Sequence, residues 1–197
     1  FNNDLWVKEA IKVTKIVLNN FLEKFIKQPY LHRVEHSIHC DLYNMLYIKE
    51  IFNKKVNIGN EAIQIIHKEW PEFIPRPEKG NRRGNFDMAI LSPNNSSGNS
   101  LNDFINGRIE APIVIEMGLN YDIEHLIDDL KKLKNSEVYC GYLIHLVRKE
   151  QNYEYKNFEE ILLEIEKKYP SIGVGYVKHQ PGRIRYKLIG DDNVSFI

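Results

Sequence analysis

Asp87 and Glu116 are lone carboxylates inside otherwise apolar runs, Phe86-Asp87-Met88-Ala89-Ile90-Leu91 and Pro112-Ile113-Val114-Ile115-Glu116-Met117-Gly118. An ionised acid in a sheet core is costly unless it is paired or bound to a cation. Side chains alternate along a strand, so Asp87, Ala89 and Leu91 share a face, as do Val114, Glu116 and Gly118. If the two strands are neighbours, both acids can point to one side. Two converging carboxylates completed by water suit a hard cation, Mg2+ or Mn2+. Such an ion polarises a phosphate oxygen and lowers the pKa of a bound water. For either acid alone, the plainer alternative is an Arg or Lys partner at a strand end. Glu35 is a third candidate. With Ile38, His39 and Leu42 it follows i, i+3, i+4, i+7 spacing, on or beside the buried side of a helix. A solvated helix-face Glu is its plain alternative, and His39 reads as a polar neighbour of Glu35 or a partly buried histidine.

The elements that must position these residues follow from periodicity. Leu5, Val13, Ile16, Val17, Phe21 and Phe25 predict a helix over residues 4–27, with Asp4 as N-cap and Gln28-Pro29 as its stop. A second helix is expected over 32–52. Residues 53–60 read as a break, and 62–66 as a strand. Pro71, Pro75 and Pro77 make the next stretch extended or turning. The Asp87 strand follows the basic turn Lys79-Gly80-Asn81-Arg82-Arg83-Gly84, and residues 92–108 read as a long mobile connection. After the Glu116 strand come a helix over 122–134, with Ile123, Leu126, Ile127, Leu130 and Leu133 facing inward, a strand over 138–147, a helix over 158–168, and short strands around Val174 and 184–188. The expected fold class is therefore α/β, a mixed central sheet flanked by helices. The expected organisation is a single domain over 1–197: an N-terminal helical extension over 1–31, a core over 32–147, and a C-terminal helix with short strands over 148–197.

Composition bounds the function. Of 197 residues, 43% are hydrophobic and 27 Lys plus Arg balance 27 Asp plus Glu, so the chain can bury one core and carries zero formal net charge. Nucleic acid cannot be held through bulk charge, only through a local basic patch. No apolar run has the length of a membrane span. Phe1-Asn2-Asn3-Asp4 has none of the features of a secretory signal, and a start at Phe1 is compatible with a trimmed chain. Cys40 and Cys140 have no partner at metal or redox spacing and read as reduced thiols of a cytoplasmic protein.

A helix with an inward Glu, an Asp on a strand, an acid-x-small triplet on the next strand, then a helix and a strand resemble the PD-(D/E)XK nuclease superfamily across residues 32–147. The resemblance implies a restriction-endonuclease-like core and Mg2+-dependent hydrolysis of DNA phosphodiester bonds. It implies that Asp87 and Glu116 hold the metal, that Glu35 is the accessory acid, and that Glu116-Met117-Gly118 occupies the acid-x-lysine triplet. Two departures stand out: Gly118 replaces the lysine that orients the attacking water, and Phe86 replaces a proline. Lys131, Lys132 and Lys68 are the candidate replacements. Without one, the domain would bind nucleic acid or protein and not cleave. A homodimer or a protein partner is compatible with this reading; a membrane is not.

Lys79, Arg82 and Arg83 precede the Asp87 strand, where they could reach phosphates flanking a scissile bond, and Arg108, Lys131, Lys132 and Lys134 could extend that surface. An ordinary solvated turn and helix face is the alternative. A competing reading is zinc hydrolysis. His32-Arg33-Val34-Glu35-His36 matches an H-x-x-E-H pattern, which would put His32 and His36 on one helical face as zinc ligands with Glu35 as general base. That requires the helix to be regular only three residues beyond Pro29.

Overall fold

A computed structural model describes residues 1–148 and 158–197. The expected α/β class is what it shows: a seven-stranded mixed sheet with helices packed against it, and a separate two-stranded hairpin. The C-terminal segment expected over 148–197 lies partly outside the described residues.

Helix α1 spans Leu5–Lys27, and Asp4 caps it, its carboxylate accepting from the Trp6 and Val7 amides at 2.9 and 3.4 Å. Its apolar stripe, including Val17, Leu18, Phe21 and Leu22, is buried against the sheet. Contact with strand β7, Ile172–Gln180, is close because Gly175 has no side chain. A Cβ there would stand 2.7 Å from Leu22 Cδ1. Helix α2 is Glu35–Tyr47, shorter than the expected 32–52. Pro29 and the extended Val34 delay its start, so Glu35 is its first residue and His32 lies outside it.

The expected break at 53–60 forms half of a hairpin, β1 (Lys55–Ile58) with β2 (Glu61–Gln64), turning at Gly59. Buried Val56 and Ile58 alternate with exposed residues, a strand pattern four residues long and easily missed. The expected strand 62–66 is divided at Ile65 between β2 and β3 (Ile66–Pro71). β4 is Asn85–Ile90. The connection after it contains two short helices, α3 (Pro93–Ser96) and α4 (Leu101–Ile105). In α4 a reciprocal capping box between Ser100 and Asp103 overrides the Asn- and Ser-rich composition.

β5 is Ile113–Leu119, α5 Ile123–Asn135 and β6 Cys140–Val147. α6 is Phe158–Lys168, β8 Arg183–Lys187 and β9 Ser195–Phe196. The sheet order is β3-β4-β5-β6-β7-β8-β9, with β5, β6 and β7 parallel and every other neighbour antiparallel. Asp122 caps α5 through the His125 amide at 3.0 Å. The helix buries Leu126, Asp129 and Leu133, whereas Ile127, expected inward, is 37% exposed. It lies too far round the helix from Leu126 and Leu133 to reach the sheet. Among the described residues no helix is long and apolar enough to cross a membrane.

Candidate active site

The β4–β5 ladder pairs Ile90 with Ile113, Ala89 with Val114 and Met88 with Ile115. One further step in that register sets Asp87 opposite Glu116, and directly opposed residues of an antiparallel pair share a face. The ladder stops at Met88 because the Asp87 side chain takes the next amide: Met117 N–H donates to Asp87 Oδ2 at 2.7 Å. The two acids expected to converge therefore lie on one side of the sheet. Glu35 joins them from the first turn of α2, its Oε2 accepting from Leu119 N–H at 2.8 Å.

Glu116 is completely buried. Its Oε2 accepts from Lys132 Nζ at 3.0 Å, and Oε1 has no hydrogen-bond partner among the described residues. Lys132 reaches it from α5 and also lies 2.9 Å from Asp129 Oδ1. Asp129 was not singled out from sequence, although the signal was present: an acid between Leu126 and Leu133 on the inward stripe of α5. His125 Nε2 stands 3.4 Å from its other oxygen.

These charges act on one another. Burial, then the charges of Asp87 and Asp129, push the Glu116 carboxyl well above its ordinary range, against the pull of Lys132. Glu35 is pushed up to about 7 by burial and by Asp87 and Asp129, against the Leu119 hydrogen bond. Asp129 is raised by its burial, with Lys132 opposing. Burial works against the Lys132 ammonium, but Glu116 and Asp129 overcome it and hold its pKa above the ordinary lysine value.

Gly118 faces three rings. A Cβ there would lie 3.2 Å from Tyr121 Cδ2, 3.5 Å from His145 Nδ1 and 3.6 Å from His125 Cδ2. Tyr121 stacks on His125 with centroids 3.8 Å apart, and its hydroxyl is hydrogen-bonded to Glu35. His145 is buried between Phe158 and Tyr176, which pushes its pKa down to about 3 and keeps it neutral. Sequence reasoning missed Tyr121, His125 and His145, because only the fold brings them to Gly118.

No family model, curated protein or solved structure matches this chain. The chemistry of the site must be read from its own atoms.

The donor set is oxygen-rich. The charges of Asp87 and Asp129 raise the proton affinity of both Glu35 and Glu116, and Lys132 bonds Glu116 and Asp129 together. With the orphaned Glu116 Oε1, this chemistry fits a hard divalent cation. Among the described residues, no three side chains form a ready metal cage.

The other candidates have separate fates. His32 Nε2 lies 3.2 Å from Asp41, while His36 Nδ1 lies 3.2 Å from Lys68 Nζ. Because α2 begins at Glu35, the two histidines do not share a helical face, and Glu35 is turned to β5. Lys68, proposed as a replacement lysine, is engaged at His36. Of the basic turn, Lys79 Nζ is bound to Asp128 at 2.8 Å. The Arg83 guanidinium donates to the carbonyls of Gly107 and Asn106 at 2.8 and 2.6 Å, which ties down the connection after α4. Arg82 and Lys131 are exposed, and Lys134 lies over the Tyr169 ring, 4.7 Å from its centroid. Arg108 stands 3.8 Å from Asp103. Beside the site, Arg76 and Glu72 form a buried pair at 3.1 Å, and Arg76 also binds Asp128 at 2.8 Å.

Proposed function

We propose that this chain is a divalent-metal-dependent nuclease that hydrolyses DNA phosphodiester bonds, as its resemblance to the PD-(D/E)XK superfamily implies. One observation carries the reading: Asp87 and Glu116 share a sheet face, and a lysine from another element stands 3.0 Å from Glu116. Asp87 and Glu116, with Glu35 beside them, would hold Mg2+ or Mn2+. When bound, the ion supplies Lewis-acid polarisation of a phosphate oxygen and a more acidic water.

The remaining work falls to the chain's own groups. Lys132 Nζ carries positive charge beside Glu116, where negative charge grows as the phosphorus–oxygen bond breaks. It thus fills the role that the resemblance assigns to a lysine at Gly118. Glu35, with its carboxyl near neutrality, can hold or release a proton at the edge of the site. Arg82 and Lys131, exposed and on either side of the acids in sequence, supply contacts to flanking phosphates. The free thiols Cys40 and Cys140 support a reducing, cytoplasmic setting.

A second reading, a non-catalytic domain that binds DNA or protein, is favoured by the complete enclosure of Glu116 and its pairing with Lys132. Plasmid and linear DNA incubated with Mg2+ or Mn2+ separate the two. Cleavage by the wild type that disappears in Asp87→Ala, Glu116→Ala and Lys132→Met supports the nuclease. Cleavage that survives the two acid substitutions refutes the site. DNA retention without nicking, unchanged in those variants, supports the binding domain.

A further inference from the structure

The chain that leads into the basic turn runs along α5. Asn135, in the last turn of that helix, donates to the carbonyls of Ile74 and Pro75 at 3.0 and 3.4 Å, and the Ser136 hydroxyl accepts from Phe73 N–H at 3.3 Å. About two turns back toward its N-terminus, α5 presents Asp128. Its Oδ1 accepts from Arg76 Nη1 and its Oδ2 from Lys79 Nζ, both at 2.8 Å. Arg76 is buried against Glu72, whereas Asp128 keeps 34% of its side chain exposed. Arg76 also closes the turn: its amide donates to the Arg82 carbonyl, and its carbonyl accepts from Asn81 N–H, each at 3.0 Å. At the tip, Arg82 Nε donates to the Lys79 carbonyl at 3.3 Å. Among the described residues, every hydrogen bond and ion pair from α5 to residues 76–84 passes through Asp128.

We propose that Asp128 is a positioning residue for DNA: its two bonds fix the basic turn on α5, so that Arg82 on the turn and Lys131 on the helix meet the phosphate backbone as one rigid surface. The inference rests on the DNA reading above and adds what holds its phosphate contacts in place. Arg82 and Lys131 belong to different elements, and Asp128 is the joint between them. A turn free to move would have to be ordered at each binding event, which weakens association. Burial by itself raises the Asp128 carboxyl, but the Lys79 and Arg76 hydrogen bonds outweigh it and hold its pKa down to about 2. The joint is therefore charged at neutral pH. Its role has an unexpected sign. Removing an acid from beside a phosphate-binding surface strengthens binding through charge alone, whereas removing a joint weakens it.

The test uses the full chain and a fluorescein-labelled DNA duplex, with binding read by anisotropy across a range of salt and without divalent cation. Asp128→Asn should bind severalfold more weakly than the wild type, with a salt slope shallower by about 1 as the Arg82 contact is lost. Glu124→Gln removes the same charge from an exposed position on the same helix and should bind as tightly as the wild type or more tightly. Hydrogen exchange reads the joint without DNA. The Lys79, Gly80 and Asn81 amides, all bonded within this segment, should exchange slowly in the wild type and faster in Asp128→Asn. DNA binding by Asp128→Asn that equals or exceeds the wild type overturns the positioning role. Exchange that Asp128→Asn leaves unchanged overturns the joint, as does fast exchange of the three amides in the wild type, which decides the matter even if the variant fails to fold. A wild type that holds no DNA while these amides are slow overturns the DNA reading itself, and the proposal with it.

Discussion

Lys132 Nζ lies 3.0 Å from Glu116 Oε2, a bond between α5 and β5 that sets a cation where Gly118 cannot supply one. Burial makes the pair asymmetric: Glu116 is fully enclosed, whereas the Lys132 side chain keeps 14% of its surface exposed. Removing one partner from such a pair costs more than the pair contributes.

Lys132→Met is therefore expected to destabilise the fold by about 3–5 kcal/mol, and Lys132→Met with Glu116→Gln by less. Urea unfolding of the two single variants and the double variant measures the coupling. Equal, additive losses would show that the two residues act separately.

Gly118→Lys restores the acid-x-lysine triplet on paper but drives a side chain into Tyr121, His145 and His125. We expect a loss of about 1–3 kcal/mol from overpacking and no gain in DNA cleavage over the wild type. Gly118→Ala, whose Cβ requires only a small shift of the Tyr121 ring, should stay close to wild-type stability. A Gly118→Lys protein that rescues Lys132→Met would show that the recess can open.

The raised pKa of Glu35 makes a stability prediction with a definite sign. The folded state holds its proton more tightly than the unfolded chain, so this contribution is complete below about pH 4.5 and is lost as pH rises toward about 7. Glu35→Gln keeps an acceptor for Leu119 N–H without the charge. Without divalent cation it should match the wild type at pH 4 and exceed it at pH 8, by on the order of 1–3 kcal/mol. Thermal unfolding at the two pH values reads the difference. A variant less stable than wild type at pH 8 would contradict the electrostatic account.

Arg82 and Arg83 are neighbours with different employment. Arg83→Ala should loosen residues 106–107, seen as faster amide exchange there, because two carbonyls lose their donor. Arg82→Ala should leave exchange unchanged, weaken DNA binding across sequences, and lower the salt slope by about 1. The reverse assignment would place the phosphate contact on Arg83.

Much of this was legible in the chain. Asp87 and Glu116 stand out in the chain because an acid within an apolar strand is conspicuous, and the alternation rule put each on a definite face. Helix α1 was found because Asp4 and Pro29 bracket a regular stripe. Asp129 was legible and overlooked, an acid on the stripe of α5 between Leu126 and Leu133. The hairpin of β1 and β2 was hidden by its length, since two alternations do not distinguish a strand from a turn. The α4 capping box was masked by a composition that usually marks irregular chain.

What the sequence by itself determined is what depends on neighbours along the chain: the α/β class, the limits of α1, α5 and α6, and the face each acid takes on its own strand. What the tertiary structure decided is every long-range partner: Lys132 and not Lys68 at Glu116, Arg83 on the carbonyls of 106–107, and three rings over Gly118. Periodicity and capping are properties of a few consecutive residues. Which side chains meet across the sheet depends on strand order and helix docking, and these are set by burying the whole core at once.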